Sequence, residues 1–113
     1  MTKAVADFGA FLALDIRVGK IVAAIPGQTK KPTYRMTVDF GSDIGTRISC
    51  GAYTNYAQDE LVGKQVVAVL NFGVKKMGPE VSEVLVLGVT NPEGTGTLLL
   101  TVDKHAVIGS EVF

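Results

Sequence analysis

Cysteine and histidine are the residues of this chain best suited to nucleophilic and acid–base catalysis, and each occurs once. A Cys/His pair can supply a thiolate nucleophile and its base. Here, however, Cys50 ends a short apolar run and His105 lies in a polar segment, at a spacing that fits no nucleophile signature. No pair of acidic residues lies in an apolar run, where burial would raise a pKa. We therefore predict no catalytic residue, and with so few ligands we predict no metal site and no cofactor.

Basic residues are the second candidates, because their distribution along the chain is uneven. The net charge is zero, with 11 basic and 11 acidic residues. Residues 16–38 nevertheless contain five basic residues and no acid, and residues 61–79 contain three basic residues and no acid. If both segments fold onto one face, that face would attract a polyanion despite the neutral total. The alternative is that these surface charges cluster by chance.

The elements that must position these residues are mostly strands. Apolar residues alternate with polar ones from Tyr34 to Phe40, which is typical of a strand with one buried face. Gly19, in the middle of a β-rich segment, indicates a bulge or a sharp bend. The other predicted strands are residues 16–23, 47–50, 66–70, 84–87 and 97–102.

Two short helices complete the predicted order of elements. The spacing of apolar residues predicts a helix over residues 5–14. A second helix is predicted over residues 54–61, with Thr54 as its cap and Gly63 just past its end. This second helix then lies between the third and fourth strands, which is the order of an OB-fold, an all-β barrel of five strands. From the pattern alone, another small barrel or a sandwich remains the alternative.

Length and composition favour one domain in the cytoplasm. The 113 residues fit a single domain over residues 1–113, and 47% of them are apolar, which is enough for a core. No apolar run reaches the ~18 residues of a membrane span, and the N-terminus has no signal-peptide pattern, so we expect no membrane partner. A single cysteine cannot form an internal disulfide, which fits a reducing compartment. Charged residues make up only 19%, a composition that favours an oligomer with apolar contacts.

Two segments resemble the tRNA-binding-domain family. The first contains DIRVG at residues 15–19, and the second contains GPEVSEVLVLG at residues 78–88. The resemblance extends from about residue 11 to residue 113 and includes the free-standing CsaA-like members, although residues 49–56 depart from their pattern. It implies an OB-fold, a homodimer and tRNA binding without chemistry. For CsaA-like members it also implies a chaperone activity linked to protein export.

The OB-fold further predicts where nucleic acid would bind. Such barrels bind on the face of strands two and three, between the loop joining strands one and two and the loop joining strands four and five. These loops would be residues 26–32 and 73–79, which lie in the two acid-free segments, so their lysines are expected to converge. Arg35 and Arg47 would lie on the same face of strands two and three. Together with positions that match the family, the residues predicted to bind RNA are Lys30, Lys31, Arg35, Arg47, Asn71, Lys75, Lys76, Met77 and Ser82.

Other side chains near these loops leave alternatives open. Tyr53 and Tyr56 are candidates to stack on bases, whereas Tyr34 is in phase with the predicted core. Ser82 could offer its hydroxyl to RNA or only satisfy a backbone group. Glu83 would repel a phosphate, so we expect it to orient a nearby cation or to accept hydrogen bonds from a base edge.

Non-catalytic recognition of tRNA by shape and charge is the predicted function, with loop lysines and Arg35 on phosphates. The alternative is an export-related chaperone that binds unfolded or pre-secretory polypeptides in apolar grooves. Met77 would suit that role because methionine adapts to varied apolar partners, although core packing accounts for it equally well. We also predict a homodimer, because apolar residues extend to both chain ends, in residues 5–14 and 106–113.

Overall fold

A five-stranded antiparallel sheet forms a nearly closed barrel in the computed structural model, which describes residues 1–113. Two short helices and two small hairpins accompany it. The elements are α1 Phe8–Leu12, β1 Ile16–Pro26, β2 Tyr34–Asp39, β3 Thr46–Gly51, α2 Gln58–Leu61, β4 Gln65–Val69, β5 Lys75–Met77, β6 Glu80–Ser82, β7 Leu85–Val86, β8 Gly88–Thr90 and β9 Thr97–Leu99.

The sheet has the strand order β3-β2-β1-β4-β7. Just before β7, the backbone N–H groups of Glu83 and Val84 donate to the carbonyl of Ile48 on β3, at 2.7 and 3.2 Å. The last strand therefore meets both β4 and β3, which brings the two edges of the sheet together. Since α2 lies between β3 and β4 in the chain, the predicted all-β OB-fold is confirmed.

The barrel interior is filled by one face of each main strand. Met36, Val38 and Phe40 are fully buried, as the alternation along this segment predicts. They pack in one cluster with apolar residues of β1, α2 and β4. Tyr34 lies at the edge of this cluster, where its hydroxyl donates to the carbonyl of Tyr56 at 2.8 Å.

Gly19 has a different role from the one predicted. The irregularity in the pairing of β1 with β2 falls between Ile21 and Ala23, so Gly19 is not the bulge. A Cβ atom at Gly19 would lie 2.5 Å from Cγ1 of Val38 and 2.7 Å from Cε1 of Phe40. Glycine is required here because two core side chains pack directly against the backbone.

Both helices are shorter than predicted. The first begins at Phe8 rather than at residue 5 and buries none of its residues. The second begins at Gln58 rather than at residue 54, after Ala57, whose N–H donates to Oε1 of Glu60 at 2.7 Å. It ends just before Gly63, which has a φ of +97°. Neither helix has the length and apolar character needed to cross a membrane.

Candidate nucleic-acid interface

The loop between β1 and β2 contacts the β5–β6 hairpin. Residues 28–30 of the loop and residues 77–79 of the hairpin line one cleft. The backbone N–H of Gln28 donates to Oε2 of Glu80 at 2.8 Å, which ties the loop to the hairpin. The two acid-free segments therefore meet, as the sequence analysis expects.

The second predicted loop, residues 73–79, forms the first strand and the turn of the β5–β6 hairpin. Lys75 pairs with Ser82, Lys76 with Val81, and Met77 with Glu80. Because side chains alternate along a strand, Lys75 and Met77 share one face of the hairpin and Lys76 lies on the other. Both lysines are exposed, so the hairpin carries positive charge on both faces.

Glu80 is the acidic group that organises this region. Its side chain is only 5% exposed, and its Oε1 lies 3.2 Å from Nε of Arg35 on β2. A buried carboxylate is costly unless it is paired and hydrogen-bonded, and Glu80 has both Arg35 and the N–H of Gln28. The outer part of the Arg35 side chain stays accessible, since 40% of it is exposed. One carboxylate thus fixes an arginine of the sheet and the lysine-bearing loop.

Glu83, predicted to orient a nearby cation or to accept hydrogen bonds from a base edge, forms no ion pair in the structure. Oε1 of Glu83 accepts a hydrogen bond from the backbone N–H of Ile48 at 2.9 Å. Glu80 was missed, although it is the first acidic residue after the acid-free segment 61–79. That position, where the two basic loops were predicted to meet, was the signal that could have identified it.

Arg47 does not share a face with Arg35. In the β2–β3 register, Arg35 pairs with Cys50, whereas Arg47 pairs with the core residue Val38. Since directly paired residues project to the same side of a sheet, the two arginines lie on opposite sides. The Arg47 guanidinium donates through Nη1 to the carbonyls of Ile44 and Thr46, at 2.6 and 3.2 Å. The prediction that both arginines lie on one face is therefore wrong.

Asn71 and Ser82 are engaged within the fold. Oδ1 of Asn71 accepts from the N–H of Asp15, and its Nδ2 donates to the carbonyl of Ala13, both at 2.8 Å. The buried Ser82 hydroxyl donates to the carbonyl of Val84 at 2.9 Å and accepts from the N–H of Cys50 at 3.1 Å. Each side chain satisfies two backbone groups, so the geometry gives both a structural role, while their contact with RNA stays a prediction.

Of the two tyrosines predicted to stack on bases, Tyr53 is buried and Tyr56 is partly exposed. Tyr53 is 4% exposed, and its hydroxyl donates to the carbonyl of Val86 at 3.1 Å. Burial, together with the nearby Tyr56, raises the pKa of Tyr53 to about 12. Tyr56 is half-buried, and its hydroxyl oxygen accepts from the N–H of Leu99 at 3.2 Å. Phe72 is instead an exposed aromatic side chain next to the lysine hairpin, 61% exposed.

Cys50 and His105, the single cysteine and the single histidine, lie in different environments. Cys50 is buried, with its thiol 3.5 Å from the Thr33 hydroxyl oxygen. His105 is exposed in the C-terminal segment. No three of the His, Cys, Asp and Glu side chains come together in a group that could hold a metal ion.

A family match decides the relationship of this chain to known proteins. Residues 16–111 match the family described as "Putative tRNA binding domain". The chain belongs to the tRNA-binding-domain family. The resemblance predicted from residues 15–19 and 78–88 is thereby confirmed.

Curated relatives of this tRNA-binding domain are much longer proteins. It is 33% identical over 106 residues to the methionine–tRNA ligase of Parabacteroides distasonis, covering 94% of this chain and 15% of the ligase. It is 35% identical over 99 residues to the methionine–tRNA ligase of Methanocaldococcus jannaschii, covering 88% of this chain and 15% of the ligase. The chain thus spans 15% of the length of these relatives.

Solved structures of similar length share the whole fold of this tRNA-binding domain. The chaperone CsaA of Bacillus anthracis is 36% identical with a TM-score of 0.89, over 97% of this chain and all 100% of that one. The CsaA chaperone protein of Picrophilus torridus is also 36% identical with a TM-score of 0.89, over 96% and 100%. A MetRS-related protein of Pyrococcus horikoshii, 22% identical with a TM-score of 0.83, supports the fold alone. The chain is therefore a CsaA-like member of its family.

The DIRVG segment of this tRNA-binding domain serves the fold. Nε of Arg17 lies 2.6 Å from Oδ1 of Asp15, and its Nη2 lies 2.9 Å from Oε1 of Glu111. Its Nη1 donates to the carbonyl of Gly109 at 3.0 Å. The hydrogen bond with Asp15 and the charges of both carboxylates raise the pKa of Arg17. This arginine therefore connects the C-terminal segment to β1.

Proposed function

We propose that this protein binds tRNA without catalysing a reaction, in the cytoplasm, recognising the RNA by shape and charge. We name the binding region the basic surface and define it as Lys30, Lys31, Arg35, Lys75, Lys76 and Met77. Family membership supports tRNA as the partner. The observation that carries the proposal is the joining of two acid-free segments through Glu80, beside strands β2 and β3. OB-folds bind nucleic acid in this region of the barrel.

Phosphate neutralisation would supply most of the affinity. The basic surface offers five cations, while the one acid within it is buried and paired with Arg35. The net charge of the whole chain is zero, so attraction must come from this local concentration of charge. Each phosphate neutralised releases counterions, and five contacts predict that log K falls with log[salt] at a slope of roughly −4.

Four lysine substitutions test the proposal. K30E/K31E/K75E/K76E should lose tRNA binding, measured by anisotropy of labelled tRNA at about 50 mM salt. The matched control is K3E/K20E/K64E/K104E, which has the same composition and net charge but alters four exposed lysines outside the basic surface. Retained binding by the first variant, equal losses in both variants, or an affinity indifferent to salt would each contradict the proposal.

A homodimer is the second part of the proposal. Phe8, Leu12 and Phe113 are largely exposed apolar side chains at the two chain ends. Leu12 and Val112 line the same cleft, so both ends contribute to one apolar region. Burial of this region against a second copy would give the apolar centre that stable dimers have. A two-fold axis would also duplicate the basic surface and allow two attachments to one tRNA.

Chaperone activity is a second candidate function. Two proteins of known structure with 36% identity to this chain are chaperones, and Phe72, Val74 and Leu85 expose apolar surface next to the hairpin. Such a surface fits unfolded or pre-secretory polypeptide. Competition tests it: if both ligands use the hairpin, tRNA should partly displace a bound unfolded polypeptide. A polypeptide that fails to bind at all would remove this candidate and leave tRNA binding untouched.

A further inference from the structure

Phe72 lines a small cleft beside the basic surface. It follows β4, and its side chain is 61% exposed. The cleft has a volume of about 220 Å³. Its lining consists of Phe72, Gly73, Lys75, Ser82, Val84 and Leu85.

The backbone that precedes Phe72 is anchored by hydrogen bonds. Asn71, the residue before Phe72, is held in place because its side chain hydrogen-bonds to the backbones of Ala13 and Asp15, both at 2.8 Å. Gly73 has a φ of +81°, in the left-handed region that favours glycine. The residue before the exposed ring is thus held in place, which lowers the ordering cost of a ligand that contacts the ring.

The chemistry of the lining is apolar with one cation. The aromatic ring of Phe72 and the half-exposed Leu85 form walls, and Val84 is a buried apolar neighbour. The Ser82 hydroxyl is already bonded to the carbonyl of Val84 and the N–H of Cys50. Lys75 is the one charged side chain of the lining. A planar aromatic ring that stacks through its faces and is attached to an anion matches this combination, and a nucleotide has that chemistry.

We propose that this cleft is a nucleobase subsite, in which an unpaired base stacks on Phe72 while Lys75 binds the adjacent phosphate. Lys75 and Met77 share one face of the hairpin, and Met77 lines the cleft that contains Lys30. A strand of RNA can therefore pass from the basic surface into the subsite. The inference rests on the proposed tRNA binding and specifies it: the favoured RNA has an unstacked base and not only the shape of a duplex.

Tryptophan fluorescence tests the subsite directly, because the chain contains no tryptophan. In the F72W variant, a short single-stranded oligoribonucleotide should quench the emission. An abasic sugar–phosphate oligomer of equal length and charge should not. The control is V62W, at an exposed residue just after α2 and outside the cleft, which should not respond to either probe. Equal quenching of F72W by both oligomers would overturn the stacking proposal.

The F72L variant separates the ring face from apolar bulk. Affinity for the single-stranded oligoribonucleotide should fall roughly 5- to 150-fold, the range that base–aromatic stacking spans. Its thermal unfolding midpoint should match that of the parent, since Phe72 is exposed.

If the intact chain binds tRNA through its lysines but F72L binds like the parent, the subsite is overturned and the proposed function stands. If the intact chain binds neither tRNA nor the oligoribonucleotide, both are overturned. Quenching or a blue shift of F72W with an unfolded polypeptide but not with RNA would assign the cleft to polypeptide and overturn the nucleobase subsite.

Discussion

Charged residues are used in opposite ways in the terminal region and in the basic surface. In the terminal region, Arg17 lies between the carboxylates of Asp15 and Glu111, so its charge is neutralised inside the fold. On the basic surface, Lys30 and Lys75 are exposed in segments without acids, and the nearby Glu80 is buried. The motif that identifies the family, DIRVG, therefore builds the fold. The proposed contacts to RNA come from segments with a charge bias and no comparably specific motif.

Removing the last two residues should give the largest effect, and it acts on the terminal region alone. If Val112 and Phe113 lie in a dimer interface, burial of the two copies of Phe113 alone is worth roughly 3–6 kcal/mol, at about 1.5–3 kcal/mol for each side chain, and the deletion should weaken association by at least that much. Sedimentation equilibrium should then change from twice 11.9 kDa to 11.9 kDa.

The F113S variant controls for damage to the fold. It keeps the hydrogen bond from the N–H of Val112 to the carbonyl of Ile16 at 2.9 Å, and Phe113 itself is fully exposed in the single chain. It should weaken the dimer without lowering the thermal midpoint of the barrel. A parent chain that sediments as a monomer at micromolar concentration would rule the dimer out.

Alkaline pH should next distinguish a core residue from a binding residue. Burial raises the pKa of Tyr53 to about 12 from its usual 10.0, so the folded state holds this proton more tightly than the unfolded state does. The contribution of this proton to the free energy of unfolding is fully present below about pH 10 and is lost as the pH rises toward 12. The loss attributable to Tyr53 should be about 2 kcal/mol.

Urea titrations at several pH values measure this loss. Y53F lacks the titrating group and should lose less stability between pH 10 and 12 than the parent. Its affinity for tRNA at neutral pH should equal that of the parent, because the ring lies in the core. If Y53F has normal stability but binds tRNA weakly, Tyr53 contacts RNA and the prediction of a purely structural role is wrong.

Replacing Glu80 should have the smallest of these effects. Whether the affinity for tRNA rises or falls is the informative result. Removing a negative charge beside lysines would by charge alone strengthen anion binding. We instead expect E80Q to weaken tRNA binding about tenfold, which corresponds to about 1.4 kcal/mol, because the uncharged amide has one acceptor oxygen and cannot hold both Arg35 and the loop. E93Q, which removes an exposed acid in the loop before β9, is the control with the same change in charge.

A double-mutant cycle identifies the route of this effect. If Glu80 acts through Arg35, the E80Q loss should shrink in an R35A background. Tighter binding by E80Q, or an equal loss with and without Arg35, would show that Glu80 does not position that arginine for the RNA.

Local pattern determined the fold class and the approximate place of the binding region. Alternation from Tyr34 to Phe40 identified the core face of β2, because burial on one side of a strand repeats every two residues. The order of strands and helices matched an OB-fold, the family resemblance favoured it over another small barrel or a sandwich, and that fold predicted the meeting of the two basic loops. These inferences needed only neighbouring residues and the known connectivity of the fold.

Tertiary structure decided which side chains are free to bind. Arg47 faces away from Arg35 because of the register between β2 and β3, which no property of either segment by itself reveals. Asn71 bonds to a backbone group 56 residues away, and Glu80 to one 52 residues away. Partners at such separations depend on how the whole chain folds, whereas periodicity reports only on one strand or helix at a time. The sequence therefore located the basic surface, and long-range hydrogen bonding determined which of its polar groups remain available for RNA.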